Sequence, residues 1–194
     1  MAISDDYKES MQVHHARPHF KWGESGFRYA GEFVKNLLRK HPEIKSVLDY
    51  GAGHGRLGEG ICAQFSHLQW TDYDPGIAGI SVLPDGVFDL VVSSDVMEHI
   101  EPDLLRKTIR EQGDRARFFV LMDISCEPTG RAIDTGPFKG HDEHLIVEGG
   151  QWWKDVCADV LHDFTLEKFS DRRVNIKGRP APRTRMIWRR HGSW

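Results

Sequence analysis

Short apolar runs recur along the chain, separated by stretches in which apolar residues return every three or four positions. The runs at Ser46–Tyr50, Gln69–Tyr73, Phe88–Ser93 and Arg117–Ile124 predict buried strands. Phe27, Phe33, Val34, Leu37 and Leu38 share one face of a helix from Ser25 to Lys40, which His41-Pro42 ends. Leu57, Ile61 and Phe65 mark a second helix over Arg56–Phe65. Others follow Pro102 to Gln112 and span Trp152–Leu161, and a short strand is expected over Ile80–Leu83. Phe164–Phe169 and Arg185–Trp188 alternate apolar with polar, as antiparallel strands do. Strands that alternate with helices predict a parallel sheet covered on both faces, an α/β domain. Residues 1–24 are polar and rich in His and aromatics, and read as an irregular arm with one helical turn before a domain at 25–194. Residues 125–150 hold five Gly and two Pro and read as a long functional loop.

The chemistry concentrates where strands end. Asp49-Tyr50-Gly51-Ala52-Gly53-His54-Gly55 joins the first strand to a helix. Alternating glycines let the backbone turn tightly and approach a ligand, and the helix start offers free N–H groups. Asp74 closes the second strand about 20 residues later, where a ribose-binding acid is expected, with Asp72 as its rival. The third long strand ends Ser93-Ser94-Asp95-Val96-Met97-Glu98-His99.

These segments resemble the class I S-adenosylmethionine-dependent methyltransferases over residues 45–125. The resemblance implies a Rossmann-like, doubly wound and mostly parallel seven-stranded sheet with a C-terminal antiparallel hairpin. It implies S-adenosylmethionine as cofactor, held by Asp49, Gly51, Gly53, Gly55, Asp74, Ser93 and Ser94. A dehydrogenase is not expected, because the glycine spacing differs from G-x-G-x-x-G. Amino methylation of DNA bases is not expected either: Ser93-Ser94-Asp95-Val96 stands where those enzymes carry [D/N]-P-P-[Y/F].

Asp95, Glu98 and His99 are spaced i, i+3, i+4, which on a helix gathers them on one side. Together with His144, or His141 as second choice, they resemble the E-x-x-E-H metal pattern of small-RNA 2′-O-methyltransferases and ubiquinone-pathway O-methyltransferases. Asp95 departs from it as the shorter acid. The resemblance implies a divalent metal, magnesium first, on Asp95, Glu98, His99 and His144. Without a metal, His99 and Glu98 are the expected catalytic pair. The methyl acceptor is then a hydroxyl of an RNA ribose, a sugar or a small-molecule diol. In the arm, His19, Lys21 and Trp22 are candidates to cover the site, and Phe138 and Trp152 to wall it. A non-catalytic cofactor-binding module of a larger complex is the alternative.

Composition adds three points. Net charge is −3, yet the segment from Arg172 onward holds eight Arg/Lys and no acid, which leaves −11 on the remainder. A basic end on an acidic body makes the terminal hairpin a candidate nucleic-acid surface. No apolar run is long enough for a membrane span and no secretory signal opens the chain. Cys62, Cys126 and Cys157 are scattered, which reads as reduced thiols in a cytoplasmic protein.

Overall fold

The computed structural model describes residues 1, 3–15, 24–134, 136, 138–176 and 178–193. Helices α1 (Asp5–His15) and α2 (Glu24–Lys40) precede β1 (Ser46–Tyr50), α3 (Arg56–Cys62), β2 (Gln69–Tyr73) and β3 (Phe88–Ser94). Then follow α4 (Leu105–Arg115), β4 (Ala116–Ser125), α5 (Gly150–Val160), β5 (Phe164–Ile176) and β6 (Arg179–Arg190). One six-stranded sheet runs in the order β2-β1-β3-β4-β6-β5. The first four strands are mutually parallel, and β6 is antiparallel to both β4 and β5.

Side-chain alternation sorts the core onto two faces. Val47, Leu90, Val92, Phe119 and Leu121 meet Ala30, Phe33, Val34 and Leu37 of α2 and Leu57 and Ile61 of α3. Leu48, Tyr50, Val91, Val120, Met122 and Ile124 meet Leu105 and Ile109 of α4 and Trp153 and Cys157 of α5. Trp153 is fully buried, whereas Trp152 next to it is largely outside the core.

Three expectations are corrected. The first part of the arm is an eleven-residue helix, α1, rather than an irregular strand of chain. Its Tyr7 is buried although the helix is polar overall, so helical periodicity was too weak to mark it. Among the described residues the sheet has six strands, and Ile80–Leu83 stays in loop among turn-rich neighbours. The hairpin strands are two to three times as long as their alternating cores suggested, and the pair continues past Ser125, the end of β4. His19, Lys21 and Trp22 lie outside the described residues. The three cysteines are free thiols. Among the described residues no helix is long and apolar enough to cross a membrane.

The hairpin is tied to the sheet by charge. Asp123, wholly buried on β4, accepts bonds from Arg183 Nε at 2.7 Å and Arg185 Nε at 2.5 Å on β6. Arg185 also donates to the Tyr29 carbonyl, and Arg183 lies over the Tyr29 ring, 4.7 Å from its centroid. Arg190 pairs with Asp163, which also binds Arg110 at 2.7 Å, and Arg179 pairs with Glu127 at 2.8 Å. Four of the eight basic residues in the terminal segment therefore neutralise acids of the body. The charge argument for a nucleic-acid surface thereby rests on the other four.

Breaking a buried pair leaves an uncompensated charge, at a cost of about 3–5 kcal/mol. Asp123→Asn should lose about that much in urea unfolding, whereas a change at exposed Arg172 should cost under about 0.5 kcal/mol.

Candidate cofactor and acceptor site

The carboxyl ends of β1, β2, β3 and β4 meet at one crest of the sheet. The glycine loop leaves β1 with Gly51 at φ 86° and Gly55 at φ 73°, both in the left-handed region. A Cβ on Gly51 would lie 2.5 Å from Val96 Cγ2, and one on Gly55 2.6 Å from Asp72 Oδ2. Both glycines are thus required by conformation and by contact. The loop is held by Gly51 and Ala52 N–H groups on the Tyr73 carbonyl, at 2.8 and 3.0 Å. Asp74 braces it further: Oδ2 accepts the Gly53 N–H at 2.9 Å and Oδ1 the Gly76 N–H at 2.8 Å.

Asp72 is placed differently. Half-buried, it receives the Trp70 indole N–H at 2.9 Å, and its other oxygen faces Gly55. Burial raises its pKa, against the opposing effect of the Trp70 bond. Asp49 is buried beneath the loop, with Oδ2 lacking a hydrogen-bond partner. Burial pushes its pKa well up, and the charges of Asp72 and Asp74 push the same way.

On the β3 side, Ser93 and Ser94 end the strand with buried hydroxyls that have no partner. Asp95 then takes φ 55°, and Met97–His99 forms a 3-10 turn rather than an α-helix. The i, i+3, i+4 argument therefore fails at its first position. Glu98 and His99 converge with His144 to within 4.8 Å, while Asp95 Oδ1 is 2.6 Å from Arg183 Nη2. His141 is exposed and outside the cluster.

The cluster is built with care for orientation. His99 Nδ1 lies 2.8 Å from the Glu143 carbonyl and His144 Nδ1 2.5 Å from the Glu127 carbonyl. Carbonyls only accept, so Nδ1 carries the proton on both rings and Nε2 is left as an acceptor. Glu98 is fully buried; Oε1 accepts the Ser125 N–H at 2.8 Å and Oε2 has no partner. Burial, with Asp95 behind it, raises the Glu98 pKa to about 8, against the pull of Arg183. Burial and the neighbouring His144 lower His99 to about 3, and burial lowers His144 too. Two imidazole acceptors thus meet a buried carboxyl whose raised pKa favours its protonated form, an arrangement that a proton on Glu98 or a cation can satisfy.

The loop that delivers His144 was expected as a long functional stretch, but the bonds that cage it were not. Asp142 Oδ1 accepts the N–H groups of Thr129 and His144 and the Thr129 hydroxyl, and Oδ2 accepts the Gly130 N–H. Glu143 is buried against Arg131, 2.5 Å from Nη2. Only the local pattern Thr-Gly…Asp hinted at such a caged turn. Phe138 packs on Tyr7 of α1 rather than standing alone as a wall. Trp152 lies on α5 against Trp153, and Asp85 is exposed in the loop before β3.

No protein-family model and no curated protein sequence matches the chain. Solved structures do. The magnesium protoporphyrin IX methyltransferase of Synechocystis PCC 6803, crystallised with S-adenosylhomocysteine, superposes with TM-score 0.62 at 13% identity, covering 94% of this chain and 93% of that one. The chain has the class I methyltransferase fold. A 1,6-didemethyltoxoflavin-N1-methyltransferase of Burkholderia thailandensis gives TM-score 0.61 at 15% identity, over 98% of this chain and 91% of its own. The methyltransferase domain of bacterial CtHen1 gives 0.59 at 14%, over 84% and 98%.

Asp49 supplies a test of the crest that needs no ligand. Its pKa is raised by folding, so the folded state holds a proton that the unfolded chain releases, and stability falls as pH rises above the ordinary carboxylate range. Asp49→Asn should therefore unfold at a higher temperature than the wild type at pH 7.5, with the gap closing near pH 4.

Proposed function

We propose that this chain is an S-adenosylmethionine-dependent methyltransferase whose domain spans residues 25–194, with helix α1 lying over the crest. The observation that carries the reading is a convergence of unsatisfied polar atoms: Asp49 Oδ2, Ser93 Oγ, Ser94 Oγ and Glu98 Oε2 are buried at one edge without partners. Native interiors satisfy such groups, so a set of them in one crevice marks a ligand site. The fold places that crevice where open α/β sheets bind nucleotides.

Roles follow from the chemistry. Asp49 is a desolvated carboxylate suited to the ammonium of the methionine moiety, and Ser93 and Ser94 offer hydroxyls to the same part. Gly51, Gly53 and Gly55 let the backbone approach the cofactor. Asp72 and Asp74 divide the remaining work. Each Asp74 oxygen already braces backbone, whereas Asp72 is a half-desolvated acid with one donor, Trp70. Two ribose hydroxyls would complete Asp72, and Asp74 keeps the loop in shape beside them.

The acceptor is a hydroxyl of a ribose, a sugar or a small diol. Glu98, with its pKa near neutrality, is the base that takes the hydroxyl proton as the methyl passes to oxygen and the sulfonium becomes a thioether. His99, held neutral by burial, orients the acceptor. A second reading adds a divalent cation on Glu98, His99 and His144, favoured by the two Nδ1–carbonyl bonds that aim both Nε2 atoms inward. Such an ion supplies a lowered hydroxyl pKa and a fixed angle of attack. Asp95 is left out of that set, because Arg183 holds it.

Calorimetry should show S-adenosylmethionine binding while ATP and NAD do not. Asp72→Asn and Asp49→Asn should each weaken it by about tenfold or more, the loss expected for a charged hydrogen bond. Wild-type affinity in both variants would overturn these roles. Methyl transfer to catechol, a nucleotide sugar and an RNA oligonucleotide should fall with chelator and in His144→Ala if the cation reading holds. Indifference to both retires that reading and leaves Glu98 alone.

A further inference from the structure

Tyr7 is a buried polar group at the crevice that the roles above leave unused. It sits on α1, 2% exposed, with its ring edge-on to Phe138 at 5.2 Å between centroids. Its hydroxyl is buried without a hydrogen-bond partner. The helix that carries it is pinned at both ends of the crevice. Ser4 Oγ accepts the Tyr7 N–H at 3.1 Å, and the Ser4 N–H donates to Glu101 Oε2 at 2.7 Å, two residues past His99. Gln12 Nε2 reaches the carbonyl of Pro75, next to Asp74, at 3.4 Å. Gly136 of the long loop packs on Ser10, where a Cβ would meet Oγ at 2.0 Å. Tyr7 is thus held over the crest by helix, loop and strand ends together.

The carboxylates acting on Tyr7 are those of Glu101, Glu143 and Glu98, on the β3–β4 side of the crevice. With burial, which is the larger cause, they raise its phenol pKa, so the hydroxyl keeps its proton throughout the neutral range. A tyrosine that always carries its proton, and has no acceptor of its own, is a donor waiting for a lone pair.

We propose that the Tyr7 hydroxyl donates a hydrogen bond to an oxygen of the methyl acceptor, beside the atom that is methylated. The inference rests on the methyltransferase reading. The surrounding carboxylates disfavour an anion at this spot, so the oxygen belongs to a neutral hydroxyl, ether or carbonyl rather than to a phosphate or carboxylate. Tyr7 keeps its proton and forms no bond to carbon; it fixes the acceptor in line with the sulfonium.

The test is Tyr7→Phe, which removes one oxygen and leaves the ring on Phe138. The unliganded variant should unfold at the same temperature as the wild type or higher, since the lost hydroxyl had no partner. Affinity for S-adenosylhomocysteine by calorimetry should stay within about twofold, while turnover on the methylated member of the catechol, nucleotide-sugar and RNA panel should drop by about tenfold or more. An unliganded variant that unfolds several degrees lower has lost an internal bond, which overturns the proposal. Loss of S-adenosylhomocysteine affinity assigns the hydroxyl to the cofactor instead, and unchanged turnover removes it from the site. A wild type that does not bind S-adenosylhomocysteine overturns the methyltransferase reading itself, a result the variant plays no part in.

Discussion

The crest of this sheet depends on one buried carboxylate held between two guanidiniums. Asp123 on β4 binds Arg183 and Arg185 on β6, and Arg183 reaches on to Asp95. Charges removed from water are tolerated only when fully paired, so the three side chains fix one another's positions. Asp95 is thereby held at φ 55°, a conformation unusual for a residue with a Cβ. The chain turns sharply after β3, a 3-10 turn follows, and Glu98 is carried into the interior, where the Ser125 N–H meets it. A hairpin about 90 residues downstream in sequence therefore decides where Glu98 points.

That network uses up the positive charge near the crest. Asp49, Asp72 and Glu98 remain as desolvated acids, each with its pKa raised chiefly by burial. Such a surface favours ligands that bring cationic charge or hydrogen-bond donors. The proposed cofactor brings an ammonium, a sulfonium and two ribose hydroxyls, and a divalent cation would answer the same deficit at Glu98. One electrostatic condition thus supports both parts of the functional reading.

The glycine loop and the alternation of strands with helices were legible because they rest on local rules. Alternating glycines after an apolar run require left-handed backbone, and the structure has it at Gly51, Gly53 and Gly55. The two-faced core followed from strands too apolar to have an exposed side. What was hidden depended on pairing at a distance. The spacing of Asp95, Glu98 and His99 suggested a helix, but a bond from Arg183, far along the chain, holds Asp95 aside. Counting Arg and Lys after residue 171 gave a basic patch, yet Arg179, Arg183, Arg185 and Arg190 are spent on Glu127, Asp95, Asp123 and Asp163. Tyr7 carried no signal at all: it is one aromatic in a polar helix, and tertiary packing, the Phe138 ring included, buries it.

At the opposite end of the sheet a buried acid is satisfied by the protein itself. Asp89, at the start of β3, is as buried as the acids of the crest. Its Oδ2 accepts the N–H groups of Lys45 and Ser46 at 2.8 and 3.0 Å, and its Oδ1 receives Arg117 at 2.8 Å. The Ser46 hydroxyl in turn accepts the Asp89 N–H. Asp89 and Asp49 share a residue type and a sheet, and sit at opposite ends of it. Backbone donors and an arginine close around the first; the second keeps an oxygen open beneath a loop of glycines. On the proposed reading, a ligand that arrives with its own donors completes Asp49, since a carboxylate closed by the protein would have nothing left to offer it.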